Sequence, residues 1–184
     1  MGKKRIEYVD DDYESISTLV RLRFPSLIFG LVLGLGISLV TSRFEEVLSQ
    51  NIHVAFFLPF IVYIADAIGS QTENIYSRDL KSGKARLSNY IWKEFTIGII
   101  FGLVFGLTSA FVTSLWLGNR LLAYSVGLSA FLAIATAPLI ALAVAQIFQS
   151  MRDDPAAGAG PIATVIQDMI SVIIYGAVAS AIML

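Results

Sequence analysis

Cysteine is absent from this chain of 184 residues, and histidine occurs once, at His53. The lack of cysteine excludes disulfides, thiolate metal ligands and cysteine nucleophiles. His53 is predicted to lie at the outer, interfacial end of a helix. One histidine alone cannot form a metal site built of imidazoles, so no such site is expected. The sequence also lacks a phosphate-binding glycine loop followed by lysine and a metalloprotease pair of histidines. These absences predict that the chain is not an enzyme.

Charged residues are scarce as well, at 15% of the chain, whereas 56% is hydrophobic and the mean hydropathy is +0.74. Soluble domains are usually about 45–50% apolar and about 25% charged. The apolar residues fall in long uncharged blocks, which is typical of a membrane protein. The basic residues form no patch, so nucleic acid is not an expected partner. The polar, acidic N-terminus does not resemble a cleavable signal peptide.

Five apolar blocks predict an all-α polytopic membrane protein with five transmembrane helices. Residues 1–24 form an acidic cytoplasmic segment, and residues 25–184 form one transmembrane domain. The blocks are Pro25–Ser42, a run from His53 that turns polar at Asp66, about Phe95–Gly118, a span within Leu121–Met151 with Pro138 as a kink, and about Pro161 to the C-terminus. In the alternative with an even count, the second block is re-entrant.

The distribution of lysine and arginine predicts the orientation of these helices. Basic residues flank span one and gather again between spans two and three, whereas loops one–two and three–four carry only Arg43 and Arg120. The positive-inside rule then places the N-terminus in the cytoplasm and the C-terminus outside, in the multi-pass topology of a cell-membrane protein. This alternation requires the second block to cross the bilayer fully.

Asp168 is the sharpest functional signal, because it lies within the apolar run Val165–Ile170. A carboxylate at membrane depth costs several kcal/mol, roughly, and marks an ion path or a proton relay by default. No basic residue lies in spans three to five to pair with it. The structural alternative is a protonated or hydrogen-bonded carboxylate between helices.

A second polar group lies in the second block. Asp66 and Glu73 are seven residues apart and share one helical face, with Ser70, Gln71 and Asn74 nearby as neutral oxygen donors. Such oxygens suit a hard cation such as Mg²⁺ or Ca²⁺. In the alternative interpretation, Glu73 lies at the cytoplasmic interface near Arg78 without a specific role. An aspartyl dyad of Asp66 and Asp168 lacks the usual glycine-flanked context.

Three further patterns concern packing and helix ends. Gly98, Gly102 and Gly106 repeat every four residues, as do Gly30 and Gly34, and small residues at this spacing let membrane helices approach closely. Asp153-Asp154-Pro155 predicts a helix start. The acidic residues at 7–14 are predicted to form a solvated, partly disordered tail.

From Arg23 onward the chain resembles the transmembrane domain of the MgtE family of magnesium transporters, which is related to the SLC41 carriers. The resemblance rests on Arg43-Phe44-Glu45-Glu46, Ala55–Pro59, Gly69-Ser70-Gln71 with Arg78, and Asp154-Pro155 through Gly160-Pro161 to Thr164, Asp168 and Tyr175. It departs from the family pattern at Ala67, where the family usually has asparagine, while Asp66 adds a charge. On this resemblance, the chain is interpreted as a short form without the family's N-terminal and CBS domains.

The resemblance implies a homodimer in the lipid bilayer with a pore on its two-fold axis. There, Asp168 would bind Mg²⁺, the transported ion. Asp66, Glu73, Gln71 and Asn74 are predicted metal ligands. Thr164, Ala163, Ser70, Glu45 and Glu46 would line the pore or its mouth. A separate soluble subunit would be one source of gating.

Two other functions stay open at this point. One is a proton- or sodium-coupled carrier or exporter of divalent cations, since intramembrane carboxylates also serve proton relays. The other is a membrane scaffold that partners a soluble domain without transporting anything.

Overall fold

The computed structural model describes residues 12–83, 85–151 and 155–184, and these form six α-helices with no strand among them. At residues 81, 148–151 and 155–161 the structure describes the backbone alone. The helices are α1 (Ile16–Ser42), α2 (Glu45–Gln50), α3 (Ile52–Lys81), α4 (Leu87–Leu117), α5 (Arg120–Met151) and α6 (Pro155–Met183). All except α2 are long and apolar enough to cross a membrane, which confirms the five predicted spans.

Local signals explain several helix ends. The Ser15 hydroxyl accepts from the Thr18 N–H and caps α1, and the Asn51 side chain accepts from the His53 N–H and caps α3. Gly118 ends α4 in the left-handed region at φ 63°, where glycine carries no steric penalty. α6 begins at Pro155 as predicted, although Asp153 and Asp154 themselves lie outside the described residues.

The spans are longer than the uncharged blocks on which they were predicted. α1 begins at Ile16 and continues through Pro25, and α4 begins at Leu87 and so includes Glu94. A charged flank can continue a helix beyond the apolar core, so counting uncharged residues underestimates helix length. The predicted acidic tail lies mostly outside the described residues.

α5 is the central helix of the subunit, because α3, α4 and α6 all pack against it. Its small residues Ala130, Ala133 and Ala137 are fully buried. α1 packs mainly on α6 and buries none of its residues, so nearly its whole apolar surface faces outward. A helix that is apolar on all sides must be buried in a protein core or surrounded by lipid, and α1 is not buried in the core of this subunit. Its surface therefore suits lipid.

The buried residues of α4 form one narrow stripe of small and polar residues, and most of its other apolar side chains are exposed, except for Phe105 and Leu117, which pack partly buried against the core. A Cβ added at Gly98, Gly102 or Gly106 would lie 2.8 Å from a backbone carbonyl of α5 in each case. The predicted close approach is therefore confirmed for this stripe. Gly34 differs, because nothing lies within 4 Å of a Cβ built there.

The end of the bundle that holds α2 is closed by aromatic packing. Phe44 packs directly on the Cα of Gly176, where a Cβ would overlap its ring. The Tyr175 hydroxyl donates to the Val54 carbonyl at 2.6 Å and so ties α6 to α3. The sequence did not predict α2, which places Val47 in the core beside these contacts.

The glycine stripe generates a prediction on stability. Gly102→Ala forces the α5 backbone away and should destabilise the subunit by roughly 1–3 kcal/mol, as overpacking does. Gly34→Ala is the matched control, since it gains about 1 kcal/mol of helix propensity without a clash. Thermal unfolding in detergent measures both variants. Equal melting temperatures would contradict the close α4–α5 contact.

Candidate functional site

The polar side of α3 meets α6 halfway along the bundle. Asp66 and Thr164 are hydrogen-bonded through their side chains, so the threonine hydroxyl donates to the carboxylate. Val54 and Tyr175 join the same two helices nearer the α2 end. α3 and α6 are thus joined at two places along their length, and the contact of Asp66 with Thr164 is the one farther from α2.

A cleft of about 190 Å³ opens beside this hydrogen bond. Three helices line it: α3 with Asp66, Gly69, Ser70 and Glu73, α5 with Ala141, and α6 with Ala163, Thr164 and Gln167. The predicted shared face of Asp66 and Glu73 is therefore confirmed, and Ser70, Ala163 and Thr164 lie with them. The two carboxylates are close enough to repel each other.

Gln167 presents an unsatisfied oxygen to this cleft. Its side chain is 3% exposed, and its Oε1 has no hydrogen-bond partner, whereas its Nε2 donates to Ser171 Oγ at 3.3 Å. The Ser171 hydroxyl gives its single proton to the Gln167 backbone carbonyl at 2.9 Å, so it can only accept from the amide. This fixes the amide orientation with Oε1 toward α3, 3.7 Å from a Cβ built at Gly69.

Asp168 lies one helical turn beyond Thr164, half-buried and outside the lining of the cleft. Its carboxylate is close enough to Asp66 for electrostatic repulsion between them. The neighbouring α6 positions Val165 and Met169 contact α1 at Gly30 and Gly36. Asp168 therefore lies on the open side of α6, between its contacts with α3 and with α1.

Four other predicted site residues are not gathered into the cleft. Gln71 and Asn74 are exposed on the adjacent surface of α3. Glu45 and Glu46 are exposed in the first turn of α2. The Phe44–Gly176 contact places α2 about 12 Å beyond Asp168 along α6, since Gly176 follows it by two turns. The roles of these four residues stay predictions.

The carboxylates do not converge on one point within the subunit. Among the described residues, no three His, Cys, Asp or Glu side chains form a group that could hold a metal ion. A fully dehydrated Mg²⁺ requires six oxygens at short distance. One subunit alone therefore suits a hydrated ion, or an ion that also uses neutral oxygens.

Two polar elements of this region were not predicted from the sequence. Gln167 precedes Asp168 and was given no role; its spacing of four from Ser171 is the signal that points to a fixed amide. Glu94 was excluded from span three, yet it is buried and accepts from the Thr72 hydroxyl at 2.7 Å. Beside it, Tyr76 donates to Gln146 at 2.6 Å. These bonds join the neighbouring face of α3, about 80–120° around the helix from Asp66, to α4 and α5.

Comparison with known proteins adds independent information. A family model described as "MgtE: Divalent cation transporter" matches residues 58–178. The chain is 32% identical over 162 residues to a magnesium transporter MgtE of Bacillus subtilis. It is 31% identical to one of Enterococcus faecalis and 27% identical to one of Thermus thermophilus. The alignments cover 86–88% of this chain but only 36% of each relative.

The matched region contains Asp168, the cleft and the three helices that line the cleft, from near the start of α3 to most of α6. The family model covers well over half of the chain. Its description names divalent cations, the ions that oxygen-lined sites suit. This membrane protein of five spanning helices belongs to the MgtE family.

Proposed function

We propose that this chain transports divalent cations, with Mg²⁺ as the physiological ion, across the cell membrane. The path runs between two subunits and is lined by intramembrane carboxylates. The observation that carries the proposal is the placement of Asp66, Glu73 and Asp168 on the open side of an otherwise apolar bundle. The magnesium transporters to which the chain is similar support the choice of ion.

The open side of α3 and α6 is incompatible with direct exposure to lipid. Asp168 and Asp66 are only half-buried in the single subunit, and Gln71 and Asn74 are exposed. Carboxylates and amides at membrane depth need water, an ion or protein partners. A second copy of the chain facing this surface would enclose a polar path and remove it from lipid.

A two-fold arrangement also explains why a single subunit lacks a complete metal group. An isologous interface brings the same residue of both subunits to the axis. Two Asp168 carboxylates would balance the charge of one divalent ion, and without it they would repel each other. Since Mg²⁺ dehydrates reluctantly, the pair would hold it through its water shell.

Removing the charge of Asp168 should reduce transport. Asp168→Asn keeps the size of the side chain but removes the charge that balances the ion, so Mg²⁺ flux into proteoliposomes should fall at least about tenfold, a change of about 1.4 kcal/mol. Asp79→Asn is the matched control, because Asp79 lies on α3 outside the cleft and accepts from Tyr90. Its flux should stay near wild type.

The outcomes separate the alternatives. Equal flux in Asp168→Asn and wild type would remove Asp168 from the path. Flux that follows an imposed pH gradient or sodium gradient would identify a coupled carrier or exporter. Absence of flux from folded wild-type protein, with Asp168→Asn harming only assembly, would support the scaffold.

Chemical cross-linking can test whether two subunits face each other across the polar side of α3. The chain has no cysteine, so single-cysteine variants need no background changes. Asn74→Cys, on the exposed face beside the cleft, should cross-link with a short bismaleimide in membranes. Leu107→Cys is the control, since Leu107 is exposed on α4 at the other side of the subunit. Equal cross-linking of both variants would contradict the proposed interface.

A further inference from the structure

We propose that each subunit also holds a divalent cation of its own, bound off the two-fold axis in the cleft between α3 and α6. Its ligands are the carboxylates of Asp66 and Glu73, the Thr164 hydroxyl and the Gln167 amide oxygen. The new site is distinct from the ion shared at Asp168. Only that shared ion rests on the proposed function.

The orphaned Gln167 oxygen is the observation that points to a ligand. Among the described residues, five buried side-chain atoms have no hydrogen-bond partner, and the other four are hydroxyls. A helical hydroxyl can rotate to a carbonyl of its own helix, whereas an amide oxygen can only accept. An unmade hydrogen bond at such a buried acceptor costs about 1–3 kcal/mol. The oxygen therefore needs a donor or a cation from the cleft.

Among the described residues, no donor reaches the Gln167 oxygen, although the Ser70 hydroxyl also lines the cleft. The Thr164 proton is used on Asp66, and the Gln167 amide protons face Ser171 and not the cleft. Ionised Asp66 and Glu73 can only accept. Five oxygen-bearing side chains line this small space, and each of them can accept a hydrogen bond or bind a cation: Asp66, Ser70, Glu73, Thr164 and Gln167. A space surrounded by acceptors, with two negative charges among them, favours a cation of charge two.

The size of the cleft restricts the state of that cation. The cleft opens to about 190 Å³ including its mouth, and its enclosed part has room for about one water molecule. A cation with its complete water shell does not fit there. The bound ion must lose part of its shell to Asp66, Thr164 and Gln167. Mn²⁺ and Ca²⁺ give up water more readily than Mg²⁺, so they should occupy the site more tightly.

Charge gives the site a consequence for the path. Asp66 repels both Glu73 and Asp168, so three like charges act on one another in each subunit. A cation between Asp66 and Glu73 would neutralise two of them. The shared ion at Asp168 would then meet a less negative surrounding, from which it could leave more easily.

The experiment counts bound Mn²⁺ by electron paramagnetic resonance on the full chain in detergent. Wild type should bind about three ions per dimer, one in each cleft and one shared on the axis. Gln167→Leu should lose the two cleft ions and keep the shared ion. Asp168→Asn should lose only the shared ion. Gln50→Leu, an exposed glutamine on α2, should match wild type.

A second variant should bind Mn²⁺ more tightly than wild type. Gln167→Glu replaces the neutral oxygen with a carboxylate, so Mn²⁺ affinity of the cleft should rise at least about tenfold. Its melting temperature should be lower than that of wild type without metal and recover when Mn²⁺ is added. A misfolded Gln167→Leu protein would not explain such a recovery.

Each result supports or overturns the proposal. Unchanged Mn²⁺ stoichiometry in Gln167→Leu, together with metal-independent melting of Gln167→Glu, would overturn it and assign the orphaned oxygen to a water molecule or a protonated carboxylate. Displacement of Mn²⁺ by Na⁺ at equal millimolar concentration would overturn the divalent assignment. Loss of flux in Asp168→Asn bears only on the shared ion, so the two proposals fail separately.

Discussion

Hydrocarbon offers no hydrogen bond to a carboxylate, and this constraint determines how the subunit uses α3. The helix is polar on two sides, and each side is served differently. On one, Thr72 and Tyr76 bond to Glu94 and Gln146 of the neighbouring helices. On the other, Asp66 and Glu73 face the cleft with only Thr164 as a hydrogen-bond donor to Asp66. The first side is satisfied within the subunit and fixes the helix, which leaves the second side available for ions.

The arrangement of the other helices is consistent with these two polar sides of α3. α5 lies at the centre because its alanines let three helices approach, and α4 approaches most closely through its glycine stripe. α1 and most of α4 present apolar surface outward and suit lipid. Fixing α3 by buried hydrogen bonds and tight packing keeps the carboxylates in register with α6. Asp66 could not meet Thr164 reliably if α3 were free to rotate.

The sequence predicted what depends on composition and spacing along one helix. Uncharged blocks predicted the five spans, and the spacing of seven predicted the shared face of Asp66 and Glu73. The isolation of Asp168 in an apolar run made it a candidate site residue, and that role stays a prediction. Helix ends were less predictable, because Ile16 and Leu87 start helices in charged flanks where no apolar pattern changes. Gln71 and Asn74 were grouped with Asp66 by proximity in sequence, but they lie beside the cleft and not in it.

What one sequence could not reveal depends on contacts between helices. Gln167 resembles any polar residue of a membrane helix until Ser171 is seen to fix its amide and α3 is seen to face its oxygen. The position of this oxygen also changes how the charge of Asp66 is interpreted. A lone acid on α3 would merely add repulsion near Asp168, whereas an acid opposite an unsatisfied amide oxygen forms part of a binding surface. The added charge of Asp66 and the orphaned oxygen of Gln167 thus lie on one electronegative surface, and a cation is the partner that we propose for both.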